Sequence, residues 1–77
     1  MPQWTVYSRA DCSLCERMLD ELAELLGPQA AAAVQVVDIG GQPELQRRYG
    51  ARIPVLTADD EFVCAYRLDS GRVTALL

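Results

Sequence analysis

Cys12 and Cys15 are the residues of this 77-residue chain whose type and spacing best fit covalent chemistry. They lie where a short apolar segment, residues 4–7, gives way to a long amphipathic one. A thiol on the first turn of a helix is near the positive end of the helix dipole and near free backbone N–H groups, and both favour the thiolate. A second thiol three residues later lies within one turn and can close a disulfide with the first. The spacing therefore predicts a redox-active pair.

Residue types that the chain lacks exclude several other chemistries. There is no histidine, and all seven cationic side chains are arginines. Ser-His-Asp catalysis, Cys-His catalysis and histidine metal sites are therefore excluded, and so are lysine Schiff bases. The three cysteines cannot supply the four thiolates of a zinc site within one chain, so no metal site is predicted. An odd number of cysteines indicates redox chemistry in preference to a structural disulfide framework.

Length and charge narrow the range of partners. One domain over residues 1–77 is expected, and a hydrophobic fraction of 51% is sufficient for a packed core. The formal net charge of −4 argues against nucleic acid as a partner. No apolar run reaches the length of a membrane span, and the first residues lack the pattern of a signal peptide. A cytoplasmic monomer without a membrane partner is expected.

The segment that begins at the cysteines has the periodicity of a helix. Its apolar residues recur at spacings of three and four, with charged residues on the opposite face. These apolar positions are Cys15, Met18, Leu19, Leu22, Leu25 and Leu26. The Gly-Pro pair at 27–28 ends the helix, and either Asp11 or Ser13 supplies its N-cap. Since Cys15 shares the leucine stripe, we expect it to be buried, whereas Cys12 precedes the helix and stays accessible.

The remaining elements alternate between strand and helix. Strands are predicted at 3–8, 34–39, 53–57 and 61–67, the second of them largely buried. Residues 30–33 form either an extra helical turn or a loop, and residues 43–49 form a short helix that Gly50 caps. The last strand is expected to carry Phe62, Cys64 and Tyr66 on one face, with Cys64 packed in the core.

The order of these elements is β-α-β-α-β-β, which defines an α/β fold. The first two strands must be parallel because a helix connects them, and the last two can form an antiparallel hairpin. A final short helix could start near Asp69, although Gly71 and the β-branched Val73 and Thr74 oppose it.

This arrangement resembles the thioredoxin superfamily, and in particular its compact glutaredoxin-like branch. Residues 6–15, VYSRADCSLC, resemble the family's strand, basic residue and CxxC block. Residues 36–39 resemble its second strand, and residues 45–56, LQRRYGARIPVL, resemble the second helix and the proline loop. The chain is most similar to a short bacterial glutaredoxin-like group. The resemblance implies a thioredoxin-like (glutaredoxin-like) fold with a mixed four-stranded sheet and the activity of a thiol–disulfide oxidoreductase.

The resemblance also implies roles for individual residues. Cys12 is expected to be the nucleophile and Cys15 the resolving thiol. The family's proline that matches Pro54 is cis and faces the cysteines, and the backbone of Ile53 is expected to pair with the substrate. Three further residues are candidates for binding charged groups of a substrate: Arg9, Arg52 and Asp69. The two arginines are equally explained as solvated side chains, and the aspartate is equally explained as a helix cap or as part of a turn.

Three departures from the glutaredoxin pattern bear on whether the protein uses glutathione. The usual C-P-Y-C is C-S-L-C here, Asp11 places a negative charge beside Cys12, and residues 67–69 replace the segment that grips the γ-glutamyl group. Protein or small-molecule disulfides are the expected partners, no bound cofactor is expected, and glutathione is an open candidate for electron donor or substrate.

The alternative function is a non-catalytic module that binds thiols, glutathione or a partner, and that as a dimer would bridge an iron–sulfur cluster.

Overall fold

Four strands and four helices make up the computed structural model, which describes residues 1–77. In chain order they are β1 (Trp4–Ser8), α1 (Ser13–Leu26), α2 (Pro28–Ala31), β2 (Gln35–Asp38), α3 (Pro43–Tyr49), β3 (Val55–Ala58), β4 (Glu61–Ala65) and α4 (Ser70–Ala75). The predicted order β-α-β-α-β-β is confirmed. An extra helical turn forms as α2, but at Pro28–Ala31 instead of residues 30–33, and the chain ends in the short helix α4.

The helix α4 forms because its N-terminus is capped and because one of its side chains is buried in the core. The Asp69 carboxylate caps it and accepts a hydrogen bond from the backbone N–H of Arg72 at 3.1 Å. Val73, whose β-branched side chain weighs against a helix, is fully buried in the core. Tertiary packing therefore outweighs the low helix propensity of this segment.

The four strands form one mixed sheet in the order β2-β1-β3-β4. β1 pairs with β2 in parallel, while β3 is antiparallel to both β1 and β4. The parallel pair is possible because α1 carries the chain back across the sheet before β2 begins. The predicted mixed four-stranded sheet is confirmed.

Helices cover both faces of this sheet. One face packs against α1 and α4 in a core formed by Trp4, Val6, Met18, Leu22, Leu56, Ala58, Val63, Cys64 and Val73. On the other face, Tyr49 of α3 stacks on Tyr7 of β1 with ring centroids 4.3 Å apart. Burial and the proximity of Tyr49 raise the pKa of the Tyr7 phenol. None of the four helices combines the length and the apolar composition that a membrane-spanning helix needs.

The prediction that the second strand is largely buried is wrong. β2 lies at an edge of the sheet, and Val36 at its centre is 53% exposed. An apolar run of this length is typical of a buried strand, but the sequence does not show whether a neighbour will cover it. Only Ile39, which follows β2, is fully buried.

The prediction of one shared face for Phe62, Cys64 and Tyr66 is also wrong. Leu56 pairs with Cys64, but Thr57 pairs with Phe62, so Val63 is an extra residue in a β-bulge. Val63 and Cys64 are consequently both buried, while Phe62 and Tyr66 are 50% exposed. Cys64 does pack in the core as predicted, and burial raises the pKa of its thiol.

Gly50 caps α3 and leads into the loop that precedes β3. A Cβ atom at this position would lie 2.5 Å from the carbonyl oxygen of Gln46, which is closer than packing allows. We expect Gly50→Ala to lower the free energy of unfolding by about 1–3 kcal/mol, because the end of α3 must shift. Urea denaturation would measure the loss.

Gly71→Ala is the matched control for this prediction. Gly71 lies within α4, and its Cβ would meet its nearest neighbour, Oδ1 of Asp69, at an ordinary 3.5 Å. Alanine is favoured over glycine in a helix by about 1 kcal/mol, so this variant should be as stable as the wild type or more stable. Equal effects of the two substitutions would contradict the steric explanation.

Candidate active site

Cys12 is the N-cap residue of α1. The chain turns through a left-handed residue, Asp11 (φ 56°), and Cys12 is extended with φ −114° and ψ 103°. Its Sγ atom accepts a hydrogen bond from the backbone N–H of Cys15 at 3.1 Å. The prediction that Asp11 or Ser13 caps the helix is therefore wrong: the cap lies between them, and sulfur occupies the position where a side-chain oxygen usually accepts this bond.

The two cysteines differ in accessibility and form a disulfide. Their Cα atoms are 5.2 Å apart, which suits a bridge between residues separated by three positions. Cys12 is partly exposed, whereas Cys15 is only 3% exposed under the first turn of α1. The predicted contrast between an accessible and a buried thiol is confirmed. In the reduced protein, a disulfide in solvent can reach Cys12 first.

The Ile53–Pro54 segment lies at the same end of the sheet as the cysteines. Tyr7 is paired with Val55, so Pro54 is adjacent to Ser8, the last residue of β1 before the chain reaches Cys12. The Ile53–Pro54 peptide bond is cis, as the resemblance implied, and Pro54 is buried. No hydrogen bond within the protein uses the backbone N–H or C=O of Ile53.

The three charged residues that were predicted to bind a substrate differ in the contacts they make within the protein. Arg9 is exposed and makes no ion pair, so its guanidinium is available to a ligand. The Arg52 guanidinium donates to the carbonyl oxygen of Arg48 at 3.1 Å and lies over the ring of Phe62. Asp69 accepts from the Arg72 N–H and also forms an exposed ion pair with its guanidinium at 3.5 Å.

The Arg52 side chain contacts Arg48 and Phe62, and the Asp69 side chain contacts Arg72. A role for either in substrate binding stays a prediction. No group of three or more cysteine or acidic side chains is arranged to hold a metal ion.

Tyr66 is a component of this region that the sequence did not indicate. It has a left-handed backbone with φ 69°, and its hydroxyl donates to the carbonyl oxygen of Ala51 at 3.0 Å. Glycine or asparagine would have been a signal for this conformation, whereas a bulky residue is not. The alternation of residues along the predicted last strand placed Tyr66 on one face of that strand. In the structure β4 ends at Ala65, and Tyr66 lies just beyond it.

A helix-capping CxxC pair beside an X–Pro loop, on a sheet of order β2-β1-β3-β4, defines a thioredoxin-fold protein with a redox-type dithiol module. The profile of the Glutaredoxin-like domain family (DUF836) matches residues 3–77, and the chain belongs to this family. The resemblance seen in the sequence is thereby confirmed.

Individual relatives agree with this assignment. Protein Rv0508 of Mycobacterium tuberculosis and protein Mb0520 of Mycobacterium bovis are each 33% identical over 78 residues, which cover 96% of this chain and 80% of theirs. The solution structure of protein Ne2328 from Nitrosomonas europaea superposes with a TM-score of 0.84 at 38% identity, covering 100% of this chain and 93% of that one. The crystal structure of protein XcR50 from X. campestris gives 0.75 at 32% identity, with 95% and 92% covered.

Proposed function

We propose that the protein is a thiol–disulfide oxidoreductase in which Cys12 is the nucleophile and Cys15 the resolving thiol. The observation that carries this proposal is the position of Cys12: it is partly exposed, caps α1 and accepts the backbone N–H of Cys15 at 3.1 Å. A hydrogen bond to sulfur and the positive end of a 14-residue helix both stabilise negative charge there.

The reaction proceeds by two exchanges. The Cys12 thiolate attacks one sulfur of a substrate disulfide, a Cys12–substrate disulfide forms, and the other substrate sulfur leaves as a thiolate. Cys15, after losing its proton to solvent, attacks the Cys12 sulfur and expels the second substrate thiolate. The substrate gains two electrons, which come from the two cysteines as they form their disulfide. An external thiol must then reduce that disulfide.

The site also supports a proposal about partners. Disulfides of proteins or small molecules are the substrates, and the free backbone groups of Ile53 are available to pair with them. Glutathione is proposed as an electron donor, since the exposed Arg9 guanidinium can attract its carboxylates. A monomer acting in the cytoplasm fits a reaction that needs a continuous supply of thiol.

Equilibration in glutathione redox buffers tests the proposal. The intact mass of the wild type should change by two hydrogen atoms at a defined potential, as Cys12 and Cys15 form their disulfide. A Cys64→Ser variant should titrate in the same way, because Cys64 is buried and unpaired. A pair that stays reduced in every buffer would overturn the proposal, and iron and sulfide retained on anaerobic purification would support the cluster-binding alternative.

A further inference from the structure

The backbone at Tyr66 adopts a conformation that costs free energy. Immediately after β4, the backbone N–H of Arg67 donates to the carbonyl oxygen of Ala65 at 2.8 Å, so Tyr66 is the centre of a three-residue turn with φ 69°. Three-residue turns with a positive central φ are rare and strained, and a bulky side chain makes this conformation less favourable still. Such strain persists only where the surroundings impose it, and it is concentrated at functional sites.

Burial does not account for the strain at Tyr66. Its side chain is 50% exposed and is not part of the core cluster. Its two hydrogen bonds instead join it to the segment before β3. The backbone N–H of Tyr66 donates to the carbonyl oxygen of Pro54 at 2.9 Å, and its hydroxyl donates to that of Ala51 at 3.0 Å. These two carbonyl groups lie on either side of Ile53 along the chain.

The register of the sheet places Tyr66 at the candidate active site. Tyr7, Val55 and Ala65 form one row across β1, β3 and β4. The next row contains Pro54 and Tyr66. It lies at the end of the strands where β1 leads to the cysteines. The two hydrogen bonds therefore fix the loop whose backbone N–H and C=O groups are unpaired at Ile53.

We propose that Tyr66 is a positioning residue that holds the unpaired backbone groups of Ile53 for an extended polypeptide substrate. The inference rests on the proposed oxidoreductase function and adds a substrate class to it. To pair with both groups of one residue, a substrate must itself offer a backbone N–H and C=O in extended geometry, as an added β-strand does. A cysteine within a polypeptide chain meets this requirement, and so does the central cysteine of glutathione, so the charges of the two substrates must distinguish them.

The charges of the site favour the interior of a polypeptide over glutathione as the preferred substrate. Glutathione carries two carboxylates and an ammonium group that need partners. Arg52 and Asp69, the candidates for these contacts, are occupied by partners within the protein. Arg9 alone of the three is free of such contacts, and the exposed Asp11 beside Cys12 repels an anion. An extended segment without terminal charges avoids these costs.

The test compares two disulfides in steady-state kinetics, with dithiothreitol, a thiol without peptide groups, as the external reductant and with the uncatalysed rate subtracted. One is a disulfide-linked pair of acetylated and amidated peptides with a central cysteine, and the other is hydroxyethyl disulfide, which has no peptide groups. Tyr66→Phe removes only the hydroxyl and should lower kcat/KM for the peptide about fivefold, mainly through KM, as loss of one neutral hydrogen bond implies. The rate with hydroxyethyl disulfide should not change. Tyr7→Phe removes a phenol hydroxyl on the face of the sheet that packs against α3, and this variant should leave both rates unchanged.

A second variant separates positioning from a purely structural role. Asparagine tolerates the left-handed conformation better than tyrosine, so Tyr66→Asn should keep the melting temperature of the wild type while it loses the preference for the peptide. Unchanged peptide kinetics in Tyr66→Phe would overturn the inference, and so would an equal loss with both disulfides. If the wild type reduces neither disulfide, the oxidoreductase function itself fails.

Discussion

Cys12→Ser should abolish disulfide reduction, and Cys15→Ser should stop the same reaction at a mixed disulfide. A serine hydroxyl is essentially un-ionised at neutral pH, so without Cys12 the rate should fall by at least about three orders of magnitude. Without Cys15 the first exchange should still occur, because the proposed nucleophile is the accessible Cys12. The second exchange should not occur, and the substrate should stay bound to Cys12 through sulfur.

Intact mass after incubation with a peptide disulfide would measure both outcomes. The Cys15→Ser variant should carry one peptide, located on Cys12 by proteolysis, and dithiothreitol should release it. Cys64→Ser is the matched control, because it removes a buried thiol from the core and leaves the CxxC pair intact. A Cys12→Ser variant that reduces the disulfide at the wild-type rate, or an adduct on Cys64, would contradict the assignment.

Leu22→Ala should produce the largest loss of stability among substitutions in α1. Leu22 is 1% exposed and belongs to the core cluster that also contains Trp4 and Met18. Truncating a buried leucine to alanine costs about 2–5 kcal/mol, since it removes apolar contacts and leaves a cavity. A domain of this size has a free energy of unfolding of only about 4–12 kcal/mol, so much of the total should be lost.

Leu25→Ala is the matched control for the core prediction. Leu25 lies on the same helix three residues later and is 38% exposed, so we expect a loss below about 1 kcal/mol. Urea denaturation followed by the fluorescence of Trp4, the single tryptophan, would compare the two variants. Losses of similar size would show that the helix does not pack against the sheet through Leu22.

The fold could be predicted to the level of element order because each element has a strong local signal. The spacing of apolar residues predicted α1, and the Gly-Pro pair at 27–28 marked its end. The sequence could not show which apolar positions a neighbour would cover. Leu25 belongs to the predicted stripe, but its side chain is 38% exposed. Val36 of β2 is exposed because no strand lies beyond it.

The candidate site was predictable where it depends on spacing along the chain. Cys12 and Cys15 were identified from their separation and from the helix that follows them. Ile53 and Pro54 were identified as candidates from the resemblance, since an X–Pro pair alone does not specify its partners. The contacts of Tyr66 were not predictable, because they arise from a bulge in β4 and from a loop 15 residues away in sequence. Such features depend on the assembled sheet.

The strand order β2-β1-β3-β4 has a consequence for how the protein is made. Residues 4–38 form one contiguous unit, β1-α1-α2-β2, and residues 55–65 form another, the hairpin of β3 and β4. The two units join along the β1–β3 pair, and the cysteines lie on one side of this seam while Ile53 lies on the other. A nascent chain thus exposes its thiols before the backbone that would present a substrate to them is docked. The candidate site is complete only once β1 pairs with β3, which is a long-range contact in the chain.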